Sequence, residues 1–262
     1  MFHAFLNNLP NVPLAIGILL LCAAIGAASV WLTRRFFNVA MLREHNDIIG
    51  YIYQMLGVVY AVMLAFAVFI VWEQFDTTNT AVEQEANTLV ALHDIARALP
   101  DAAGAQLKGD VVNYAHVVAT DEWEQMARAH ASDASQQALL RLTRFEREFR
   151  PATDHETVLY AQAIGHIEKL NAFRRLRLQA SRGQIPRPMW VLLIGGGLFM
   201  VGFTAIFGAT NARLHIALTA VLAAALGFTL FIILALDTPY TGSFAITQEP
   251  FNGALALFTS NP

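Results

Sequence analysis

The chain has one cysteine, little charge, and none of the short motifs that announce catalysis. Cys22 is that cysteine and sits inside an apolar run, so an intrachain disulfide framework and a cysteine metal site are both excluded. Asp, Glu, Lys and Arg make up 14% of the residues, where ordinary soluble domains carry about 25%. The balance is a formal −3, from 17 basic and 20 acidic residues. With no basic surface to meet a phosphate backbone, nucleic acid is excluded as a partner. There is no glycine-rich phosphate loop, no nucleophile elbow and no His-Glu-x-x-His zinc motif. His93, His116, His130, His155 and His166 are scattered without metal-ligand spacing. Glu83, Glu85 and His93 could be grouped as ligands, but a solvated helix face is the expected reading. Neither an enzyme nor a cofactor is expected.

Long apolar runs take the place of charge. Val12 to Trp31, Gly50 to Trp72, Met189 to Thr210 and Leu214 to Leu236 are each long enough to cross about 30 Å of hydrocarbon at ~1.5 Å per helical residue. Backbone in lipid must satisfy its own polar groups, which makes these runs helices. Trp31, Tyr51, Tyr53, Trp72, Trp190 and Tyr240 lie at their ends, as interfacial aromatics do. Before the first run there is no basic n-region, and its apolar stretch exceeds a signal peptide's h-region, so it is read as a retained anchor. Gly195-Gly196-Gly197 falls inside the third run and is a helix-packing feature.

The expected fold is an all-α membrane protein with four transmembrane helices in two hairpins around a helical-bundle insert. The divisions are 1–72 for the first hairpin, 73–188 for the insert, 189–236 for the second hairpin and 237–262 for a C-terminal tail. An even number of spans puts both termini on one side. Arg34, Arg35 and Arg43 in the first short loop favour the cytoplasm for that loop, and so a periplasmic insert. Arg174, Arg175, Arg177, Arg182 and Arg187 pull the other way. In the insert, apolar residues recur every three or four positions. Val82, Ala86, Leu89, Ile95 and Leu99 form one stripe, and Leu107, Val111, Tyr114 and Val118 a second. Leu139, Leu142, Phe145 and Phe149 form a third, and Ile164, Ile167, Leu170 and Phe173 a fourth. No breaker separates Trp72 from Ala98, which predicts one long helix continuing from the second span to Pro100.

Small residues mark where helices can approach closely. Gly57, Ala61 and Ala65 recur every four residues in the second run, and Ala220 and Ala224, with Ala223 and Gly227, do so in the fourth. Opposite the first set lie Val59, Met63, Phe66 and Ile70, which either face lipid or form an apolar constriction that gates by dewetting. His45, Asn46 and Asp47 form a polar cluster in the first loop. They could bind an ion at the membrane surface, but a solvated turn with Asn46 or Asp47 capping the second helix is the expected reading. Asp237 opens a turn made by Pro239 and Gly242.

In chain order these pieces resemble the bestrophin-like domain family of bacterial membrane proteins. The residues that carry the resemblance begin with His45-Asn46-Asp47-x-x-Gly50, Gly57-Val58-Val59-Tyr60-Ala61-Val62-Met63-Leu64-Ala65-Phe66 and Val71-Trp72. They continue with Glu85-Ala86, Tyr114, Glu122-Trp123-x-x-Met126, Arg174-x-x-Arg177 and Pro188-x-Trp190. They close with Leu236-Asp237-x-Pro239-Tyr240-x-Gly242 and Gln248-Glu249-Pro250-Phe251. The resemblance covers roughly residues 45–255. It implies functional weight for the polar motif residues His45, Asn46, Asp47, Glu85, Trp123, Arg174, Arg177, Asp237, Pro239 and Gly242. Bestrophins are pentameric chloride-selective channels with four membrane helices and a helical region between the second and third. Their second helix lines an apolar neck. The resemblance thus implies a homo-oligomeric channel of the bacterial inner membrane passing a small anion, with Val59, Met63, Phe66 and Ile70 as the neck. The rival expectation is a membrane-anchored sensor or scaffold whose helical bundle binds a ligand or partner.

Overall fold

The computed structural model describes residues 11–260 apart from Gln184 and Ser243. The extreme termini, on which the topology expectation bears, lie outside the described residues. The helices are α1 (Asn11–Phe36), α2 (Val39–Arg43), α3 (Asn46–Ala98), α4 (Asp101–Val117), a π segment (Val118–Glu122), α5 (Trp123–Ala127), α6 (Asp133–Glu148), α7 (Asp154–Ala180), α8 (Arg187–Ala205), α9 (Ala212–Asp237) and α10 (Glu249–Ser260). No strand occurs among the described residues. By length and composition, α1, α3, α8 and α9 are able to cross a membrane.

Helix ends follow local chemistry. α3 stops at Pro100, whose ring cannot continue the ladder. The Ser132 hydroxyl accepts the Ser135 N–H to start α6. Thr153 accepts the Glu156 N–H to start α7, while the Glu156 carboxylate accepts the Ala152 N–H, a reciprocal cap.

The chain divides into two compact units. The first holds α1, α2, α3 up to Glu73, α8 and α9. Here α1 and α9 cross at very short range. A Cβ added at Gly26 would lie 2.8 Å from both the Thr219 carbonyl oxygen and the Ala223 Cβ, and 3.2 Å from the Ala220 Cα. This part of α3 buries one face, Tyr60, Leu64, Ala67 and Val71, in a core with Leu193, Met200 and Ile233. The Tyr60 ring lies across Gly196 and Gly197, and its hydroxyl donates to the Leu193 carbonyl at 2.6 Å. The bare glycines leave room for the ring, and the hydroxyl, with no water to bond in an apolar core, finds its acceptor there.

The second unit comprises the rest of α3, α4 to α7, and α10. Its core includes Leu89, Leu92, Leu107, Val111, Leu142 and Leu170, all at most 1% exposed. Each such side chain contributes about 1.5–3 kcal/mol of hydrophobic stabilisation. The residues from Thr238 to Thr241 and the described residues from Ala245 on belong to this unit, and Phe251, Ala254 and Phe258 of α10 are buried in its core.

Candidate functional site

Two arrangements concentrate the chemistry: the faces of α3 in the first unit, and a chain of buried charges in the second.

At ~100° per residue, the apolar half of α3 has four faces. Tyr60, Leu64, Ala67 and Val71 use one of them inside the chain. On one flank lie Gly57, half-buried, and Ala61 and Ala65, both exposed. Ala61 and Ala65 line a shallow apolar groove of about 530 Å3 with Leu64, Val68 and Thr229. On the other flank lie Val59, Met63, Phe66 and Ile70. Met63 is half-buried, and Val59 and Phe66 are 59% and 62% exposed. Directly opposite the buried face are Val58, Val62 and Phe69, all exposed. In α9 it is Thr219, Ala223 and Gly227 that are buried, while Ala220 and Ala224 are half-buried. Ala220 also lies against Gly26 of α1, a contact partner that no spacing within one helix could have named.

The polar loop cluster does something other than cap a helix. Asn46 lies inside the first turn of α3. Its side-chain amide donates to the Gly208 carbonyl at 3.2 Å and accepts the Gly208 N–H at 2.9 Å. The expected capping role of Asn46 is corrected to a two-way backbone clamp between the loops that precede α3 and α9. His45 and Asp47 are exposed. Asp237 accepts the Ile185 N–H at 3.0 Å. Gly242 has φ 78°, a left-handed conformation that glycine adopts without steric cost.

In the second unit, four charges alternate in a line. Arg177 on α7 donates to both Glu85 oxygens on α3, from Nε at 2.6 Å and from NH2 at 2.9 Å. The same NH2 reaches Glu122 on the π segment at 2.6 Å. Arg174, one turn earlier, donates to the other Glu122 oxygen at 2.7 Å, to the Ser135 hydroxyl at 2.9 Å, and through NH1 to the Gln136 side-chain oxygen at 2.7 Å. The Tyr114 hydroxyl donates to Glu85 at 2.6 Å, and Ser135 donates to Glu122. Glu85, Glu122 and Arg177 are fully buried, and Arg174 nearly so. The Arg177 guanidinium also lies 5.6 Å from the ring centroids of Trp123 and of Phe251, within cation–π range. Trp123 donates its indole N–H to the Ile246 carbonyl at 3.3 Å and meets Tyr240 edge-on at 5.6 Å. Pro239 accepts the Ile246 N–H at 2.8 Å. Motif residues spread from 85 to 251 thus meet in one place.

Burial pushes titration here in opposite directions. It would raise the Glu122 carboxyl, but the Arg177 and Arg174 guanidiniums outweigh it and hold Glu122 below the ordinary value. Burial would lower Arg177, but Glu85 and Glu122 carry it well above its usual range. Burial, reinforced by the negative Glu85, raises the Tyr114 phenol. The four formal charges of the network cancel, and each carboxylate accepts three hydrogen bonds. What it does is hold α3, the π segment, α6 and α7 in one register.

This corrects the solvated reading of Glu85 and His93. Glu83 is exposed, whereas Glu85 is 0% and His93 2% exposed. His93 stacks on Phe258 of α10 at 4.5 Å. Sequence reasoning had Tyr114 only as a stripe and motif residue and Glu122 only as a motif residue, and it named neither Ser135 nor Gln136. The available signal for Glu122 was a carboxylate directly before a tryptophan on an otherwise apolar stripe. The π segment that turns Val118, Ala119 and Glu122 inward together has no such signature.

A family model described as the bestrophin-like domain matches residues 20–251. The chain belongs to this family. The bestrophin-like chain also shares its fold with a bacterial bestrophin homologue from Klebsiella pneumoniae, at a TM-score of 0.65 and 11% identity, covering 94% of this chain and 96% of that one. A single-substitution variant of that homologue gives 0.66 at 13% identity, over 94% and 97% of the two chains. Another variant gives 0.63 at 16% identity, again over 94% and 97%. Identities this low speak for the fold alone. No curated protein matches the chain.

Proposed function

We propose that this chain is one protomer of a homo-oligomeric, bestrophin-like ion channel of the bacterial inner membrane. In this reading α1, α3, α8 and α9 span the bilayer as two hairpins around a bundle, and α3 faces the axis. The observation that carries it is the exposure of α3. Its apolar half buries one face within the chain, and the other three, flanks and back, are left to lipid or to other copies. In a ring, the groove over Ala61 and Ala65 takes the bulky flank of a neighbouring α3, a head-to-tail contact that closes by rotation. The back of the helix, Val58, Val62 and Phe69, then faces the axis beside Phe66. Of the neck drawn from the family resemblance, Phe66 stays at the lining in this arrangement, and Val58, Val62 and Phe69 take the place of Val59, Met63 and Ile70. An apolar constriction excludes water and ions until it widens or is made polar.

The family resemblance implies a small anion as the permeant ion. The exposed side chains of α3 beyond the apolar stretch favour the other sign. Glu73, Asp76, Glu83 and Asp94 are exposed on α3, and Arg97 is its first basic residue after the apolar run. Like charges lining a path repel co-ions and concentrate counter-ions, so we infer a preference for cations. The test is flux through liposomes holding the purified protein. Phe66→Ser and Val62→Ser should raise conductance, and thiols introduced at 58, 62, 66 and 69 should react with a small aqueous reagent. The reversal potential in a salt gradient gives the sign of the permeant ion. Protection of all four thiols with flux at background would turn the reading to a scaffold.

A further inference from the structure

We propose that the loop end of the first unit binds the phosphate headgroups of anionic phospholipids. Four arginines gather there. Arg34 and Arg35 end α1, Arg43 ends α2, and Arg213 lies in the first turn of α9. The two loops that carry them are stitched together by the Asn46–Gly208 clamp and by the Arg34 guanidinium, which donates to the Ala209 carbonyl at 2.6 Å. The backbone of Arg43 packs flush against Gly208, with no room there for a Cβ. The arginines are thus brought together by tertiary contacts and not by sequence alone.

Arg35, Arg43 and Arg213 are exposed and make no ion pair among the described residues. Only Glu44 and Asp47 lie nearby in sequence to offset them. The Arg34 Nε–H is buried without an acceptor. A guanidinium presents paired N–H groups that match phosphate oxygens. Beside these charges stand Phe36, Phe37, Met41 and Ile48, each more than 60% exposed. A free phosphate has no use for that apolar surface, whereas a phospholipid's acyl chains would cover it. All four candidate spans also begin or end here, at the level where headgroups sit. The inference rests on the membrane placement of this unit and is independent of conduction.

The test uses the full chain reconstituted in nanodiscs of equal parts phosphatidylcholine and phosphatidylglycerol. Lipids retained by the protein are counted by native mass spectrometry after transfer to detergent. The wild type should retain phosphatidylglycerol in excess. A basic side chain at a membrane surface is worth roughly five-fold in preference for anionic lipid. The combined Arg35→Gln, Arg43→Gln, Arg213→Gln variant should therefore lose at least about tenfold of the excess. The same three positions changed to Lys should keep most of it, which guards against a folding defect in the Gln variant. Inorganic phosphate added at assay should leave retention unchanged. The proposal is overturned if the wild type retains the two lipids in their bulk ratio, if the Gln variant keeps the excess, or if phosphate alone displaces the lipid. A chain that does not enter nanodiscs at all would instead sink the membrane reading beneath it.

Discussion

Arg177→Met tests the buried charge line most directly. The substitution keeps a long apolar stem and removes a guanidinium that makes three charge-assisted hydrogen bonds, two to Glu85 and one to Glu122. Glu122 keeps Arg174 and Ser135, but among the described residues Glu85 keeps only the Tyr114 hydroxyl. Removing one partner of a buried pair costs about 3–5 kcal/mol, because the remaining charge stays desolvated. Against a typical total of roughly 5–15 kcal/mol this is a large loss. At about 2–4 °C per kcal/mol for a domain near this size, the melting temperature should fall by about 10 °C. Circular dichroism of the protein in detergent measures it. Arg177→Lys, which keeps the charge without the two-pronged geometry, should fall in between. The pH dependence carries the sharper signature. In the wild type Glu122 is held below its ordinary value. Its contribution is therefore present above the unfolded-state pKa and lost as pH falls through the lower folded one. In Arg177→Met the lowering influence of Arg177 on Glu122 is lost, so Glu122 takes up its proton at higher pH than in the wild type, and the variant's penalty is full at neutral pH and shrinks toward acid. The two melting curves should converge on acidification. A variant within about 1 kcal/mol of wild type, or a deficit that does not change with pH, would refute the reasoning.

Three further outcomes follow from the first unit. Ala61→Leu should leave each chain folded but disrupt assembly, since Ala61 is exposed within the chain; overpacking costs about 1–3 kcal/mol, and size-exclusion chromatography reads the change. Gly26→Val should instead destabilise the chain itself by at least a similar ~1–3 kcal/mol, because the new atoms meet the Thr219 carbonyl and Ala223 Cβ; a thermal melt reads it. Reporter fusions at Phe5, His130 and Pro262 should all report one compartment, expected to be the periplasm. Of the arginines that argued against this, Arg174 and Arg177 are neutralised inside the second unit.

Hydropathy alone determined the four long apolar helices, because a run that must satisfy its own backbone in lipid has no alternative to a helix. The reach of α3 to Ala98 was also legible, since Pro100 is the first residue able to break it. So were the stripes of Leu107, Val111 and Tyr114 and of Leu139, Leu142 and Phe145, because a 3.6-residue period shows which side of a helix must be covered. The period does not show what covers it. Glu85 reads as one more solvated carboxylate until α7 brings Arg177 across 92 positions of sequence to neutralise it. Asn46 reads as a helix cap until Gly208, 162 positions away, meets both ends of its amide. Gly26 has no neighbour in its own helix to mark it, and only the crossing of α9 makes its missing side chain necessary. Charge neutralisation and close approach are pairwise properties of residues far apart in the chain. Local pattern supplies one member of each pair, and the tertiary fold supplies the other.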